Sequence, residues 1–234
     1  MDVVFSTNLS MLIQIISGLL TTRAIIIKLP EKHKILTHIT ILETIVQVIE
    51  FLFYIFILRS IVVTNLSKMA SIRYFDWVIT TPMMLLTTII FFKYQEYIEK
   101  NIDENLDFWK FIKENKQNII IIFTCNFLML LFGYLGEIKY MNMTLSLFFG
   151  FIFFGITFYT IYKNYAIKSK SSLKMFYFIL FIWGLYGVAA LFDPINKNNM
   201  FNILDLFSKN FFGIYLYYFI QNFNNKNLLS HINH

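Results

Sequence analysis

The chain alternates between long apolar stretches and short polar connections. Each stretch is close to the roughly 20 residues that an α-helix needs to cross the hydrocarbon core of a bilayer. The first stretch is predicted to be a membrane span and not a signal peptide, because no basic segment precedes it and the acidic Asp2 stands near its start. The pattern predicts seven membrane-spanning helices, at about 5–27, 35–58, 71–92, 118–136, 143–162, 175–192 and 199–221.

The connection between the third and fourth spans, about 93–117, mixes charged residues with the apolar Phe108, Trp109, Phe111 and Ile112. It is predicted to be either a short amphipathic helix on the membrane surface or a solvated loop.

Composition excludes the soluble classes of protein. Of the 234 residues, 57% are hydrophobic and only 15% are charged, whereas a soluble domain carries roughly 25% charged residues. The single cysteine, Cys125, excludes a disulfide framework within one chain. The sequence therefore predicts an all-α membrane protein in which residues 1–234 form one seven-helix domain, with a frayed tail at about 222–234. Neither an enzyme nor a nucleic-acid-binding protein is indicated.

The positive charges predict the orientation in the membrane. Of the 20 lysine and arginine residues, fourteen fall on one side of the predicted spans and four on the other, with Arg73 and Lys209 inside spans. Because loops rich in lysine and arginine stay in the cytoplasm, the N-terminus is predicted to be extracellular and the C-terminus cytoplasmic.

Two pairs of oppositely charged residues lie inside predicted spans, where charge is costly and usually functional. Arg73 and Asp76 stand three apart in the third span, and Asp205 and Lys209 stand four apart in the seventh. Each pair therefore shares a helix face. A lysine in an apolar interior is suited to forming a Schiff base with an aldehyde, and a protonated imine needs a carboxylate counterion. A buried ion pair without further role is the alternative.

The surrounding strings resemble a known family. The third span reads RYFDWVITTP over 73–82, and the seventh reads DLFSK over 205–209. They closely resemble the microbial (type I) rhodopsins, whose third helix carries R-Y-x-D-W-x-x-T-T-P and whose seventh carries D-x-x-x-K. Trp183 and Tyr186 stand three apart in the sixth span, as the retinal-packing aromatic residues of that family do.

The resemblance implies all-trans retinal, bound covalently to Lys209 as a protonated Schiff base. It implies Asp76 as the primary counterion, Asp205 as the second, and Arg73 as the cation that balances them. The retinal-binding residues would then be Trp77, Thr80, Trp183 and Tyr186, with Thr80 hydrogen-bonding near Asp76. Gly187 and Ala190 depart from the proline and tryptophan that are frequent in the family, which changes the shape expected for the pocket.

Three spans each carry a line of polar residues at helical spacing. The residues are Thr40, Glu43, Gln47 and Glu50 in the second span, Ser10, Gln14, Ser17 and Thr21 in the first, and Asn198, Asn202, Asp205 and Lys209 in the seventh. Such lines converge on a hydrated path that favours cations, or they only join helices through hydrogen bonds. The candidate ion pathway comprises Ser10, Glu43, Gln47, Glu50 and Asn202.

The set Ser10, Glu43, Gln47 and Glu50 also resembles the viral rhodopsins of large algae-infecting DNA viruses, especially the channel-forming group. That likeness favours a light-gated cation channel whose partners are the lipid bilayer and permeant cations or protons. If the chain is viral, the membrane is that of the host cell, and a homo-oligomer is compatible with the sequence.

An outward light-driven proton pump is the main alternative. It is weakened by Thr87, which stands eleven residues after Asp76 where pumps usually carry a carboxylic proton donor. A sensory photoreceptor and a seven-span protein without retinal are further alternatives.

Overall fold

The structure is a computed structural model that describes residues 2–61 and 66–232, without the side chains of residues 61, 67 and 225–232. Its helices are α1 (Val3–Ile26), α2 (Lys34–Ile61), α3 (Leu66–Glu99), α4 (Phe108–Glu114), α5 (Lys116–Glu137), α6 (Met143–Asn164), α7 (Lys170–Ala189), α8 (Pro194–Asp205) and α9 (Phe211–Ile232). A π-helical turn, Leu206–Asn210, joins α8 to α9. The described residues contain no strand.

Seven segments form a bundle, with α8, the π-helical turn and α9 together making the seventh. The first segment, α1, packs against α2 and against both parts of the seventh. The third, α3, is the most central because it contacts α2, α5, α7 and α8. The predicted all-α, seven-helix bundle is confirmed. We call the end that holds residue 2 the N-terminal end and the opposite one the C-terminal end.

The bundle is built for a lipid environment. Among the described residues, α1, α2, α3, α5, α6 and α7 are long and apolar enough to cross a membrane. The seventh segment is more polar and is divided by the π-helical turn. Large apolar side chains such as Leu19, Phe56 and Phe148 are exposed on the outside, while buried polar side chains line the inside. This distribution is that of an integral membrane protein.

The ends of several helices are fixed by side-chain oxygens that accept hydrogen bonds from free backbone N–H groups. Asn142 caps α6 through the N–H of Thr144 at 2.9 Å. At the C-terminal end of the bundle, the carboxylate of Glu99, the last residue of α3, accepts from the N–H groups of Lys170 and Ser171 at 2.8 and 2.9 Å. The C-terminal residue of α3 therefore caps the first turn of α7 and joins the two helices.

Pro82 stands in the middle of α3, where it cannot donate the usual backbone hydrogen bond. The two threonines before it donate instead to backbone carbonyls one turn back: Thr80 to Asp76 at 2.9 Å and Thr81 to Trp77 at 2.7 Å. This local bonding fixes the segment of α3 that carries Asp76.

Two further parts of the chain are the connection between the third and fourth spans and the C-terminal tail. The connection between the third and fourth spans contains the short helix α4, which buries Phe111 and leaves Trp109 73% exposed. Of the two predicted alternatives, the amphipathic helix is therefore present. The tail predicted to be frayed, about 222–234, begins within α9, which continues to Ile232. Residues 233–234 lie outside the described residues.

Candidate functional site

A buried lysine at the centre of the bundle is surrounded by three carboxyl groups. The Nζ atom of Lys209 lies 2.5 Å from Oδ2 of Asp76, 3.8 Å from Oδ1 of Asp205 and 3.8 Å from Oε1 of Glu50. All four side chains are at most 2% exposed. Asp76 is the direct partner of the lysine, and Glu50, which was predicted only for the ion pathway, also belongs to this cluster.

Asp205 is held in place by three donors. The hydroxyl of Tyr54 donates to its Oδ2 at 2.7 Å, and the hydroxyl of Tyr186 donates to its Oδ1 at 2.7 Å. The guanidinium of Arg73 reaches Oδ2 at 3.3 Å and also donates to the side-chain oxygen of Asn202. Arg73 therefore stands on the N-terminal side of the lysine, next to Asp205.

The charges of this cluster do not balance if every group is ionised. Two cations, Lys209 and Arg73, face three carboxyl groups, so one proton on a carboxyl group makes the cluster neutral. Glu50 has the weakest support as an anion: its Oε2 accepts from Asn210 at 3.4 Å, and its Oε1 has no hydrogen-bond partner among the described residues. Glu50 is therefore the carboxyl group of the cluster with the weakest hydrogen bonding, and an unsupported buried anion is costly.

A mainly apolar cavity opens beside Lys209. Trp77, Trp183 and Tyr186, the aromatic residues that were predicted to bind retinal, line it, and the ring of Trp77 stands edge-on to that of Tyr186 at 5.3 Å. Its remaining walls include Met84, Met129, Leu130, Phe151 and Phe154.

Residues with small or no side chains enlarge this cavity. Gly187 and Ala190 both line it. A Cβ atom at position 187 would collide with the ring of Phe151, so glycine is what allows that ring to approach α7. The departure from the family's proline therefore has a packing reason, and Ala190 leaves open the volume that a tryptophan would fill.

Thr80 does not line the cavity in the way predicted. Its hydroxyl is committed to the backbone carbonyl of Asp76, and the neighbouring Thr81 lines the cavity instead. Thr81 also accepts a hydrogen bond of 2.8 Å from the side-chain amide of Asn126 on α5. Thr80 is therefore near Asp76, as predicted, but it supports the backbone of α3 and not the carboxylate.

The three predicted polar lines all face the bundle interior, where their members are buried. They join into a chain of contacts that we call the polar path. In order from the N-terminal to the C-terminal end, it comprises Asn202, Arg73, Asp205, Lys209, Glu50, Asn210, Ser17, Gln47 and Thr21, each in contact with the next. Consecutive polar groups thus cross the middle of the bundle from α8 to α1 and α2.

The predicted pathway residues occupy different positions relative to this path. Asn202, Glu50 and Gln47 are members of it. Ser10 flanks it, since its hydroxyl donates to the backbone carbonyl of Asn202 at 3.0 Å. Glu43 lies one helical turn beyond Gln47 on α2, closer to the C-terminal end.

Glu43 contacts Thr87, the residue at the position where proton pumps usually carry a carboxylic donor. The hydroxyl of Thr87 donates to Oε1 of Glu43, and Oε2 of Glu43 has no hydrogen-bond partner in the described part of the chain. A carboxyl group from α2 is thus placed against Thr87 on α3. The usual donor position holds no acid, but an acid from a neighbouring helix lies beside it.

The polar path ends in a tightly packed region toward the C-terminal end. Leu36 and Ile39 of α2 and Leu216 and Ile220 of α9 belong to a large buried apolar cluster there. Before it, Gly213 of α9 allows a close approach, because a Cβ atom at that position would collide with the side-chain amide of Gln47. The path is therefore closed at this end by close packing.

Sequence reasoning missed Tyr54 and Asn210. Tyr54 follows Glu50 by four residues on the polar face of α2, and that spacing was a usable signal. Asn210 directly follows Lys209, and ordinary helical geometry turns adjacent residues onto different faces. The π-helical turn widens this part of the helix, so that both side chains are buried. No sequence pattern indicated that turn.

Comparisons with known proteins agree with this architecture. The model of the bacteriorhodopsin-like protein family matches residues 5–223. The crystal structure of viral rhodopsin OLPVRII superposes with a TM-score of 0.80 at 28% identity, covering 94% of this chain and 98% of that one. No curated protein sequence matches.

More distant structures share the fold. A blue light-absorbing proteorhodopsin from Med12 gives a TM-score of 0.72 at 16% identity, covering 95% of this chain and 98% of that one. The rhodopsin of Exiguobacterium sibiricum gives 0.70 at 18% identity, covering 95% and 97%. The chain is an integral membrane protein with a rhodopsin fold, and it belongs to the bacteriorhodopsin-like family.

Membership of this family implies a retinal chromophore, and the cavity fits one. A long polyene requires apolar and aromatic walls, which Trp77, Trp183 and the methionines supply. Lys209 lines the same cavity, with a carboxylate at 2.5 Å from its nitrogen. The residues present therefore satisfy both the apolar and the ionic requirements of such a group.

Proposed function

We propose that this protein holds retinal on Lys209 and acts as a light-gated cation channel. The observation that carries the proposal is the polar path, which passes Lys209 and contains carboxyl groups on both sides of it. Carboxylates and amide oxygens in a membrane interior favour cations over anions. The likeness to a viral rhodopsin supports operation in a host cell membrane, and the lysine-rich loops support a cytoplasmic C-terminal end.

Retinal would supply light absorption and a light-driven change of shape, while the protein controls a proton at the nitrogen of Lys209. Asp76 stabilises the protonated nitrogen in the dark and accepts the proton after illumination, because it is the carboxylate in direct contact. Asp205 remains ionised next to Arg73 and serves as the second counterion. Trp77 and Trp183 exclude water from the cavity.

The polar path is blocked at two places, and opening of the channel requires both to rearrange. Arg73 blocks the path on the N-terminal side of Lys209, where it binds both Asp205 and Asn202. The apolar cluster blocks it beyond Gln47. Loss of the positive charge at Lys209 weakens the attraction that holds Asp205 and Asp76 together, so the Arg73 contacts are the first that we expect to rearrange.

The contact between Glu43 and Thr87 favours a second candidate function, an outward proton pump. Glu43 would return a proton to the nitrogen of Lys209 from the C-terminal side and so replace the donor missing at position 87. In a channel, the same carboxyl group would instead line the entrance to the path.

The role of Lys209 is tested by purifying the Lys209→Ala variant with added retinal. We expect no visible absorption band, because Lys209 is the only lysine among the described residues that line the cavity. Absorption that persists in this variant contradicts the assignment.

Two matched variants separate the functions. Glu50→Gln and Glu43→Gln both remove a buried carboxyl group from the same face of α2. For a channel, Glu50→Gln changes the permeability ratio of sodium ions to protons, and Glu43→Gln leaves the recovery of absorption after a flash nearly unchanged. For a pump, Glu43→Gln slows that recovery at least about tenfold, as loss of an internal proton donor does, and current flows outward at every voltage.

A further inference from the structure

A second cavity lies at the N-terminal end of the bundle, between α3, the α5–α6 connection and α8. We call it the N-terminal cavity, and its volume of about 500 Å³ gives room for many water molecules. It opens outward past Tyr140, which is 80% exposed. The cavity is therefore accessible to water and ions from this end. Its walls combine apolar and charged side chains and include Leu66, Ala70, Glu137, Lys139, Met143, Pro194 and Lys197.

One buried side chain, that of Asn198 on α8, connects the wall of this cavity to Arg73. Its amide nitrogen donates to the backbone carbonyls of Leu66 at 3.2 Å and Pro194 at 2.8 Å, and both of these residues line the cavity. Its side-chain oxygen accepts a hydrogen bond of 3.5 Å from Nε of Arg73. Arg73 also binds Asn202, the first residue of the polar path. The polar path therefore reaches the N-terminal cavity through a single amide.

The alternative exit, between α1, α2 and α3, is closed by apolar packing. Val3, Ile57 and Met69 form a buried cluster there, and each is at most 3% exposed. An ion that passed on this side would have to displace three packed side chains and lose its water among apolar groups, which is costly. At Asn198 it would displace one polar side chain whose oxygen can itself bind the ion. The geometry therefore favours the exit through the N-terminal cavity.

We propose that the N-terminal cavity is the mouth of the polar path, that Asn198 closes this mouth in the dark, and that Glu137 keeps it permissive for cations. This inference rests on the proposed channel function. Lys197, which directly precedes Asn198, places its Nζ atom 2.8 and 3.1 Å from the two carboxylate oxygens of Glu137. The side chains of this ion pair are 11% and 4% exposed. Glu137 thus cancels a positive charge that would otherwise repel entering cations.

A second positive charge, that of Lys139, stands exposed at the rim of the cavity. Water and salt screen a charge in such a position, so it opposes the entry of cations much less than an unpaired Lys197 would. The balance between Glu137 and Lys197 therefore decides the charge that an ion meets inside the mouth.

The mouth opens through the rearrangement of Arg73. Once Lys209 loses its positive charge, the contacts of Arg73 change and its Nε leaves the side-chain oxygen of Asn198. That oxygen is then available to a passing cation, while the amide nitrogen keeps its bonds to the two backbone carbonyls. The mouth therefore opens by side-chain movements alone.

The charge of the mouth is tested by the photocurrent of cations that enter at the N-terminal end, recorded at a fixed voltage in retinal-supplied cells and divided by the visible absorption of the protein. Glu137→Gln leaves Lys197 unpaired. A unit charge several ångströms from a hydrated ion should then lower the current about two- to threefold. Lys197→Gln leaves the carboxylate unpaired and should raise the current by a comparable factor. The double variant restores neutrality and should return the current close to the wild-type value.

Two comparisons distinguish this electrostatic role from a structural one. The differences should shrink as the ionic strength rises from about 0.01 M to about 0.15 M, because salt screens the charge. A loss of stability would neither depend on salt in this way nor change sign between the two single variants. Lys68→Gln removes the same charge from an exposed residue at the same end that is not among the described residues lining the cavity, and it should leave the current unchanged.

Access from water is tested independently with the Ala70→Cys variant. Ala70 lines the cavity, so a cationic methanethiosulfonate added on the side of the N-terminal end should modify the new thiol in the dark. The added positive charge should then reduce the photocurrent at least about twofold. The native Cys125 is only 9% exposed, and the wild type treated with the same reagent should keep its current.

The outcomes separate failure of the mouth from failure of the channel. A wild-type photocurrent that never reverses with voltage refutes the channel and the mouth together. A reversing current that is the same in Glu137→Gln and Lys197→Gln overturns the mouth alone, and so does a thiol at position 70 that does not react or whose modification leaves the current unchanged. If Glu137→Gln forms no pigment, the current of Lys197→Gln decides.

Discussion

Replacing Gly213 by alanine should destabilise the protein, although alanine is the better helix former. A Cβ atom at position 213 would collide with the side-chain amide of Gln47 and come within 2.8 Å of the methyl carbon of Thr21. Gln47 therefore has to leave its present position. It would lose its hydrogen bond to Ser17 and the one it accepts from Thr21, both 2.9 Å long.

The sign of the effect follows from comparing two magnitudes. Two neutral hydrogen bonds contribute about 1 kcal/mol each, so about 2 kcal/mol is lost, and more if the displaced amide stays buried without partners. Replacing glycine in a helix interior gains up to about 1 kcal/mol. The free energy of unfolding should thus fall by at least about 1 kcal/mol. For a chain of this size, that lowers the midpoint of thermal bleaching by about 2–4 °C.

Gly155→Ala on α6 is the matched control, because nothing lies within 4 Å of a Cβ atom there. The assay heats both purified variants with retinal and records the loss of visible absorption. The control should bleach at the wild-type temperature or above it, and Gly213→Ala below it. If Gly213→Ala is as stable as the control and conducts normally, Gln47 is not held against α9, and the C-terminal half of the polar path is wrongly described.

The other predictions concern single side chains. Asp76→Asn should shift the visible absorption maximum to the red, because it removes the carboxylate closest to the Lys209 nitrogen; an unchanged spectrum transfers that role to Asp205. Glu137→Gln should lower thermal stability by about 2 kcal/mol, since Glu137 contacts Lys197 through both oxygens at 2.8 and 3.1 Å; wild-type stability would mean that the pair contributes little. Asp193 caps α8, and the N–H groups of Asn196 and Ile195 hold its pKa below the ordinary value of 3.8. Its stabilising effect is present above that ordinary value and is lost as the pH falls through the lowered pKa, so an Asp193→Asn variant should lack this part of the acid dependence of thermal stability.

Much of the fold follows directly from local features of the sequence. The apolar stretches predicted all seven segments, since helices are the only open-ended structures that satisfy their backbone in lipid. The spacing of Glu43, Gln47 and Glu50 correctly predicted that they share a buried face. The sequences around Asp76 and Lys209 predicted that these two residues lie close together, because they resemble the third and seventh helices of the microbial rhodopsins, in which the counterion faces the lysine.

The features that the sequence did not predict depend on how the helices pack against one another. The π-helical turn at Leu206–Asn210 brought Asn210 into the interior, and no local pattern distinguishes such a turn from a regular helix. The proximity of Glu50 to Lys209 depends on the relative height of α2 and the seventh segment. The contact between Glu43 and Thr87 depends on the same kind of vertical alignment between α2 and α3. Hydrophobic periodicity gives the faces of helices but not their relative heights.

The central claim is that light opens the polar path past Lys209 to cations. It is tested most directly by recording photocurrent against voltage in retinal-supplied cells while sodium, potassium and proton gradients are varied one at a time. We expect a current that reverses sign near the equilibrium potential of a permeant cation and moves with that cation's gradient. A current that stays outward at every accessible voltage contradicts the channel and favours a pump that uses Glu43 as its proton donor.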